Sequence, residues 1–108
     1  MESNYWLEIG SNFFSRPYIK KLRKMAGGDT IIIIYQKIML LSDKYGRIVF
    51  QGIEKTFEEE IALILDEDID NIKKTIEFMK TAGFIKLTPN EDEYLLEMEG
   101  WSIGVDEE

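Results

Sequence analysis

The sequence predicts a mainly α domain closed by a small β-hairpin, an α+β chain of winged helix-turn-helix type. Three observations predict it. Thr56-Phe57-Glu58-Glu59 matches a capping box, in which a threonine and a glutamate three residues on satisfy the free amides that begin a helix. Asp66-Glu67-Asp68 is a tight acidic turn between two apolar-periodic segments. Ala82-Gly83-Phe84-Ile85 then leads directly from the second of those segments into a strand. A short helix, a tight turn, a longer helix and a hairpin is the order that defines the class.

Residues 5–9 alternate loosely and predict a short strand or an extended arm. Pro17 suits the first turn of a helix, because its missing N–H is unpaired there in any case. Ile19, Leu22 and Met25 share one face of that helix, and Gly27-Gly28 stops it. Asp29 is positioned to N-cap a second helix, from Thr30 to about Tyr45. Isoleucine and leucine on nearly every side place this helix centrally, and Gly46 ends it. Ile48-Val49-Phe50 reads as a short strand before Gly52. After the capping box a short helix carries Ile61, Ile64 and Leu65. Asp68 then caps a longer helix, with Ile69, Ile72, Ile76 and Met79 along one face and Gly83 just past its end. Phe84 to Leu87 and Tyr94 to Met98 form two strands around a turn at residues 88–92. The chain thus divides into an N-terminal arm (1–16), a winged-helix domain (17–98) and an acidic tail (99–108) that lacks periodicity and is expected to fray.

Composition narrows the chemistry. The 108 residues fit one domain. With no cysteine there is no disulfide framework or thiolate centre, and with no histidine there is no imidazole base or His-ligated metal. No nucleotide-binding glycine loop is present, and no carboxylate stands beside a candidate nucleophile, so the chain is expected to be a binding module that is not an enzyme and needs no cofactor. Asp66, Asp68, Asp70 and Glu77 fall at calcium-loop spacing, but the sixth position is Asn71 where such a loop needs glycine. Helix capping explains these acids better, and no metal is expected. The opening MESNYWLEIG has neither a basic segment nor a continuous apolar one, which predicts no signal peptide. The apolar run from Ile31 to Leu41 falls short of the about 20 residues that cross a bilayer.

The formal charge of −8 argues against nucleic acid only when read as a total. Residues 1–47 carry 8 Lys/Arg against 4 acids, a net of +4, while residues 48–108 carry 5 Lys against 17 acids, a net of −12. Candidate DNA contacts are therefore local. Arg16, Lys20, Lys21, Arg23 and Lys24 form a dense basic helix, and Lys73, Lys74 and Lys80 lie on the outward face of the second helix of the helix-turn-helix, beside Asp70, Glu77 and Thr81. That second helix enters the major groove in DNA-binding members of the class. Its acidic start opposes deep insertion, and its lysines are equally explained as a solvated face paired with Glu77. Tyr5, Trp6, Phe13 and Phe14 are candidate self-association contacts, with Tyr18 nearby.

Several stretches resemble the N-terminal domain of phage replisome organiser proteins. They are Tyr5-Trp6-Leu7, Asn12-Phe13-Phe14, Ile19 to Met25, and above all Gly27-Gly28-Asp29-Thr30 with the isoleucine run to Tyr35. Glu58 to Ala62, Leu65 to Ile69 and Gly83-Phe84-Ile85 extend the resemblance over about residues 5–98. The domain is also similar to the N-terminal winged helix of DnaD-like primosomal proteins. The resemblance implies a role in starting replication on phage or prophage DNA in the cytoplasm of a bacterial host. It implies double-stranded origin DNA and helicase-loading or primosomal proteins as partners, and a homodimer or higher oligomer. Members of the family are longer, so the chain is expected to be an isolated N-terminal domain or a truncated product. In the DnaD-like relatives this domain serves self-association and DNA binding lies largely further along, which leaves a pure oligomerisation and docking module as the alternative.

Overall fold

The computed structural model describes residues 4–88 and 93–106. The order is β1 (Asn4–Ile9), a 3-10 turn (Phe13–Ser15), α1 (Pro17–Arg23), α2 (Gly28–Leu41), β2 (Arg47–Val49), α3 (Phe57–Leu65), α4 (Ile69–Thr81), β3 (Ile85–Leu87), β4 (Glu93–Leu96) and β5 (Trp101–Asp106). Among the described residues these make two antiparallel sheets, a β1–β5 ribbon and a three-stranded sheet in the order β2-β4-β3. The fold is α+β, as the sequence predicts.

Helix α2 is the centre of the core. Its Ile32, Ile34, Tyr35, Ile38 and Met39 are buried against Ile19 and Leu22 of α1, Phe57 and Ile61 of α3, and Ile72, Ile76 and Met79 of α4. Gly28 opens α2 where the chain doubles back on α1; a Cβ there would run into the Leu22 carbonyl. Thr56 and Asp68 cap α3 and α4 as expected, while the Glu59 carboxylate accepts the Thr56 hydroxyl at 3.2 Å. Thr56 Oγ1 accepts the Glu59 N–H at 3.1 Å, and Asp68 Oδ1 accepts the Asp70 and Asn71 N–H groups at 2.8 and 3.3 Å. Both satisfy amides that a helix start leaves free.

Four local expectations are corrected. Asp29 is not the N-cap of α2; Gly27, at φ +77°, takes that place, and Asp29 lies in the first turn. Helix α2 stops at Leu41, before Tyr45. Ser42 turns extended and the Asp43 carboxylate accepts the Tyr45 and Arg47 N–H groups, which redirects the chain into β2. Met25 is exposed, because α1 ends at Arg23 and the helical register that would bury it is lost. The acidic tail is the largest correction. Trp101–Asp106 is a strand in register with β1 over its whole length, from Ile9↔Trp101 to Asn4↔Asp106. Trp101 and Ile103 face the core with Leu7 and Ile9, and the Trp101 indole N–H donates to the Glu97 carbonyl at 2.9 Å. Burial of this apolar face outweighs the acidic composition. On the outer face the Trp6 indole covers Gly104, where a Cβ would fall inside the ring. The expected turn falls partly on residues 89–92, outside the described residues.

Candidate nucleic-acid interface

Helix α4 presents two unlike sides. Ile72, Thr75, Ile76 and Met79 face the core, with Thr75 Oγ1 donating to the Asn71 carbonyl at 2.8 Å. Asp70, Lys73, Lys74, Glu77, Lys80 and Thr81 are exposed. Among the described residues no ion pair joins Glu77 to Lys73, Lys74 or Lys80, so all three ammonium groups stay available. The acidic start of α4 is partly neutralised within the chain. The Glu67 carboxylate pairs with Lys37 of α2, and Asp68 is turned onto its own helix amides. Asp66, left-handed at φ 53°, and Asp70 remain exposed.

Helix α1 is the second basic element. Lys20, Lys21 and Lys24 are exposed and form no ion pair among the described residues. Arg23 makes a long contact with Asp29 at 3.8 Å, and its guanidinium lies 5.9 Å from the Phe14 ring centre. Phe14, Lys20, Arg23 and Lys24 line a shallow concavity.

An aromatic seam brings these elements together. Tyr18 of α1 and Phe78 of α4 each meet the Phe84 ring edge-on, with centroids at 6.3 and 5.7 Å. Lys21 lies one turn from Tyr18 and Lys74 one turn from Phe78, so one cation of each helix stands by the seam, while Lys20, Arg23 and Lys24 gather about Phe14. Lys86, exposed on β3, adds a cation that the sequence reading did not single out. The inward-outward alternation of Ile85-Lys86 was its only sequence signal.

Two residues grouped with these sets lie elsewhere. Arg16 stands over the Phe84 ring at 4.3 Å and makes paired hydrogen bonds to Glu97, at 3.0 and 2.5 Å. Burial works against its charge, but the bond to Glu97 and the carboxylates of Glu97 and Glu99 outweigh it and hold the guanidinium more firmly protonated than usual. Arg16 is thus engaged inside the molecule, apart from the free cations of α1. Phe13 is fully buried, packed against Phe14 and Tyr35, and cannot serve as a self-association contact in the folded chain. Phe14, Tyr5 and Trp6 are exposed. Tyr35 stacks on Phe84 at 5.5 Å, and burial, with Glu97 adding to it, pushes its phenol well above the ordinary range.

Among the described residues no group of three or more carboxylates is arranged to hold a metal ion, and no helix is long and apolar enough to cross a membrane. Asp68, the centre of the calcium-like spacing, is committed to capping α4. Neither the curated proteins nor the solved structures searched contain a match to the chain. Residues 6–107 do match the family described as N-terminal phage replisome organiser, and with nearly its whole length covered, the chain belongs to that family.

Proposed function

We propose that the chain is a winged-helix module that acts in the initiation of phage or prophage DNA replication, binding double-stranded origin DNA and associating with itself. Family membership supports the replication role. The observation that carries the DNA-binding reading is the run α2, β2, α3, α4, β3, β4 with strand order β2-β4-β3, which leaves the unpaired lysines of α4 on an open surface. This run matches the winged-helix order, in which the helix at the position of α4 is offered to the major groove. Lys73, Lys74 and Lys80 then neutralise phosphates, while Lys21 extends the basic surface across the Phe84 seam and Lys20, Arg23 and Lys24 form a second basic cluster beside Phe14. Phosphate contacts position the module; sequence discrimination needs base-edge contacts besides. Helicase-loading or primosomal proteins are the expected protein partners, and the bacterial host cytoplasm is the expected location. The module works by binding and not by catalysis.

A second reading, a self-association and docking module whose DNA contacts lie outside this chain, is favoured by the exposed Asp66 and Asp70 at the start of α4. A mobility-shift titration of an origin duplex at low salt separates the two. The first reading expects a shift at micromolar protein that is lost in the Lys73→Ala/Lys74→Ala/Lys80→Ala variant. No shift of the duplex by the unaltered chain leaves the docking reading.

A further inference from the structure

Phe14 stands in the open beside the basic helix. It follows Phe13 in the 3-10 turn, and while Phe13 is fully buried, Phe14 is 40% exposed. The ring is nevertheless held in place. It meets Phe13 edge-on, with centroids 5.1 Å apart at 86°, and the Ser15 hydroxyl ties the turn back to the Asn12 carbonyl at 2.8 Å. With Lys20, Arg23 and Lys24 it lines a concavity of about 340 Å³. Lys20 and Lys24 lie one turn apart on the exposed side of α1, and neither has an acid partner among the described residues. Like charges at that spacing repel each other, a cost that a bound anion relieves. Phe14 and Arg23 also border a neighbouring concavity. Across the two, Asp29 is the one acid, and Arg23 offsets it at 3.8 Å. Lys20 and Lys24 are left in excess.

An exposed ring among uncompensated cations matches the chemistry of a single strand of nucleic acid. Cations take its phosphates, and an aromatic face takes an unstacked base. A duplex offers the cations the same phosphates but keeps its base faces stacked inside, so the ring tells the two apart. The C-terminal end of α1, negative by its dipole, accounts for some of the positive charge gathered there. It does not account for an aromatic side chain held in the open amid that charge. We propose that Phe14, Lys20 and Lys24 form a site for single-stranded nucleic acid, at which a base stacks on Phe14 while the adjoining phosphates lie on the two lysines. Arg23, whose guanidinium is 5.9 Å from the ring centre, stands at the edge of that contact and keeps Asp29 from repelling the strand. Lys73, Lys74 and Lys80 belong to α4 and take no part. The inference goes beyond the duplex-binding reading and holds or fails independently of it.

The test is fluorescence anisotropy of the full chain at low salt, with a labelled oligo-dT, which forms no duplex, and with an abasic strand of the same length and charge. The unaltered chain is expected to bind oligo-dT about tenfold or more tighter than the abasic strand, since a stacked base contributes on that scale. Phe14→Leu, which keeps an apolar side chain against Phe13, should lose that preference and leave duplex affinity as it is. Lys20→Ala/Lys24→Ala should make the slope of log K against log salt shallower by about 1.4, at about 0.7 for each phosphate on a single strand. Lys73→Ala/Lys74→Ala/Lys80→Ala should leave oligo-dT affinity as it is. Oligo-rU run beside oligo-dT separates RNA from DNA as the strand taken, and a preference of either over the abasic strand supports the site. Equal binding of all three strands, or binding of none, overturns the proposal without recourse to any variant. Loss of oligo-dT binding in the α4 variant overturns it by placing the strand on α4. Displacement of oligo-dT by polyglutamate at equal charge overturns it in favour of an acidic peptide.

Discussion

Glu60 is the side chain on which the link between β2 and α3 depends, and its removal has a magnitude that follows from the structure. It is 1% exposed, and its two oxygens accept the Gln51 N–H at 2.9 Å and the Ile53 N–H at 2.7 Å. Residues 50–56 lie outside helix and strand, so these amides have no ladder partner, and the carboxylate supplies what secondary structure does not. A hydrogen bond to a charged group contributes about 1.5–3 kcal/mol, and a buried donor left unsatisfied costs about 1–3 kcal/mol. Glu60→Gln keeps one carbonyl acceptor but sets an NH2 group against the other amide, so it should cost about 2–3 kcal/mol. Glu60→Ala removes both acceptors and should cost about 3–5 kcal/mol. For a domain of this size each kcal/mol lowers Tm by roughly 4–8 °C. Glu60→Gln should therefore melt at least about 8 °C below the unaltered chain by circular dichroism, with Glu60→Ala lower still. Glu58→Gln, on the same turn but only half-buried, is the control and should change Tm little. A Glu60→Gln protein melting within a degree or two of the unaltered chain would mean that water, and not the Glu60 carboxylate, satisfies the Gln51 and Ile53 amides.

Three further outcomes are expected. Gly104→Val should cost about 1–3 kcal/mol in urea denaturation and shift Trp6 fluorescence to the red, since the new side chain displaces the indole from the β1–β5 ribbon; an unchanged midpoint would contradict the ribbon's packing. Arg16→Lys keeps the charge but loses the paired bonds to Glu97 and the planar stack on Phe84, so Tm should fall while DNA affinity, if measured well below Tm, stays the same; a loss of affinity without a loss of stability would return Arg16 to the DNA-facing set. At Asp43 burial raises the carboxyl pKa, but the Arg47 and Tyr45 amides and the Arg47 guanidinium outweigh it and hold it below the usual range. A lowered native pKa contributes stability above the unfolded value of about 4, which is lost as pH falls through the native value. The Tm gap between the unaltered chain and Asp43→Asn should therefore be full near neutral pH and narrow below about pH 4; a gap constant down to pH 2 would contradict it.

Elements whose signals are local could be read from the sequence. Pro17, Thr56 with Glu59, Asp68 and Gly83 each act within one turn of themselves, and each marks a helix boundary that the structure shows. What escaped depends on partners far along the chain. Trp101, Ile103 and Val105 do alternate with Ser102, Gly104 and Asp106, but acids and glycine masked the period, and the strand forms only because β1 lies opposite it. Phe13 and Phe14 are adjacent aromatics, and only the 3-10 turn decides that one enters the core and the other stays outside. Arg16 looks like its basic neighbours until Glu97 closes on it from 81 residues away. Among Glu58, Glu59 and Glu60, only the third falls on the Phe57–Ile61 face at helical spacing, a signal that the acidic run disguises.

Contact between the α4 lysines and DNA phosphates is read out by the salt dependence of binding to an origin duplex, measured by fluorescence anisotropy for the unaltered chain and for Lys73→Ala/Lys74→Ala/Lys80→Ala. Each phosphate neutralised contributes about 0.9 to the slope of log K against log salt. The triple variant should bind more weakly, with a slope shallower by about 2.7. Equal slopes for the two proteins, or no binding by the unaltered chain at low salt, would contradict it.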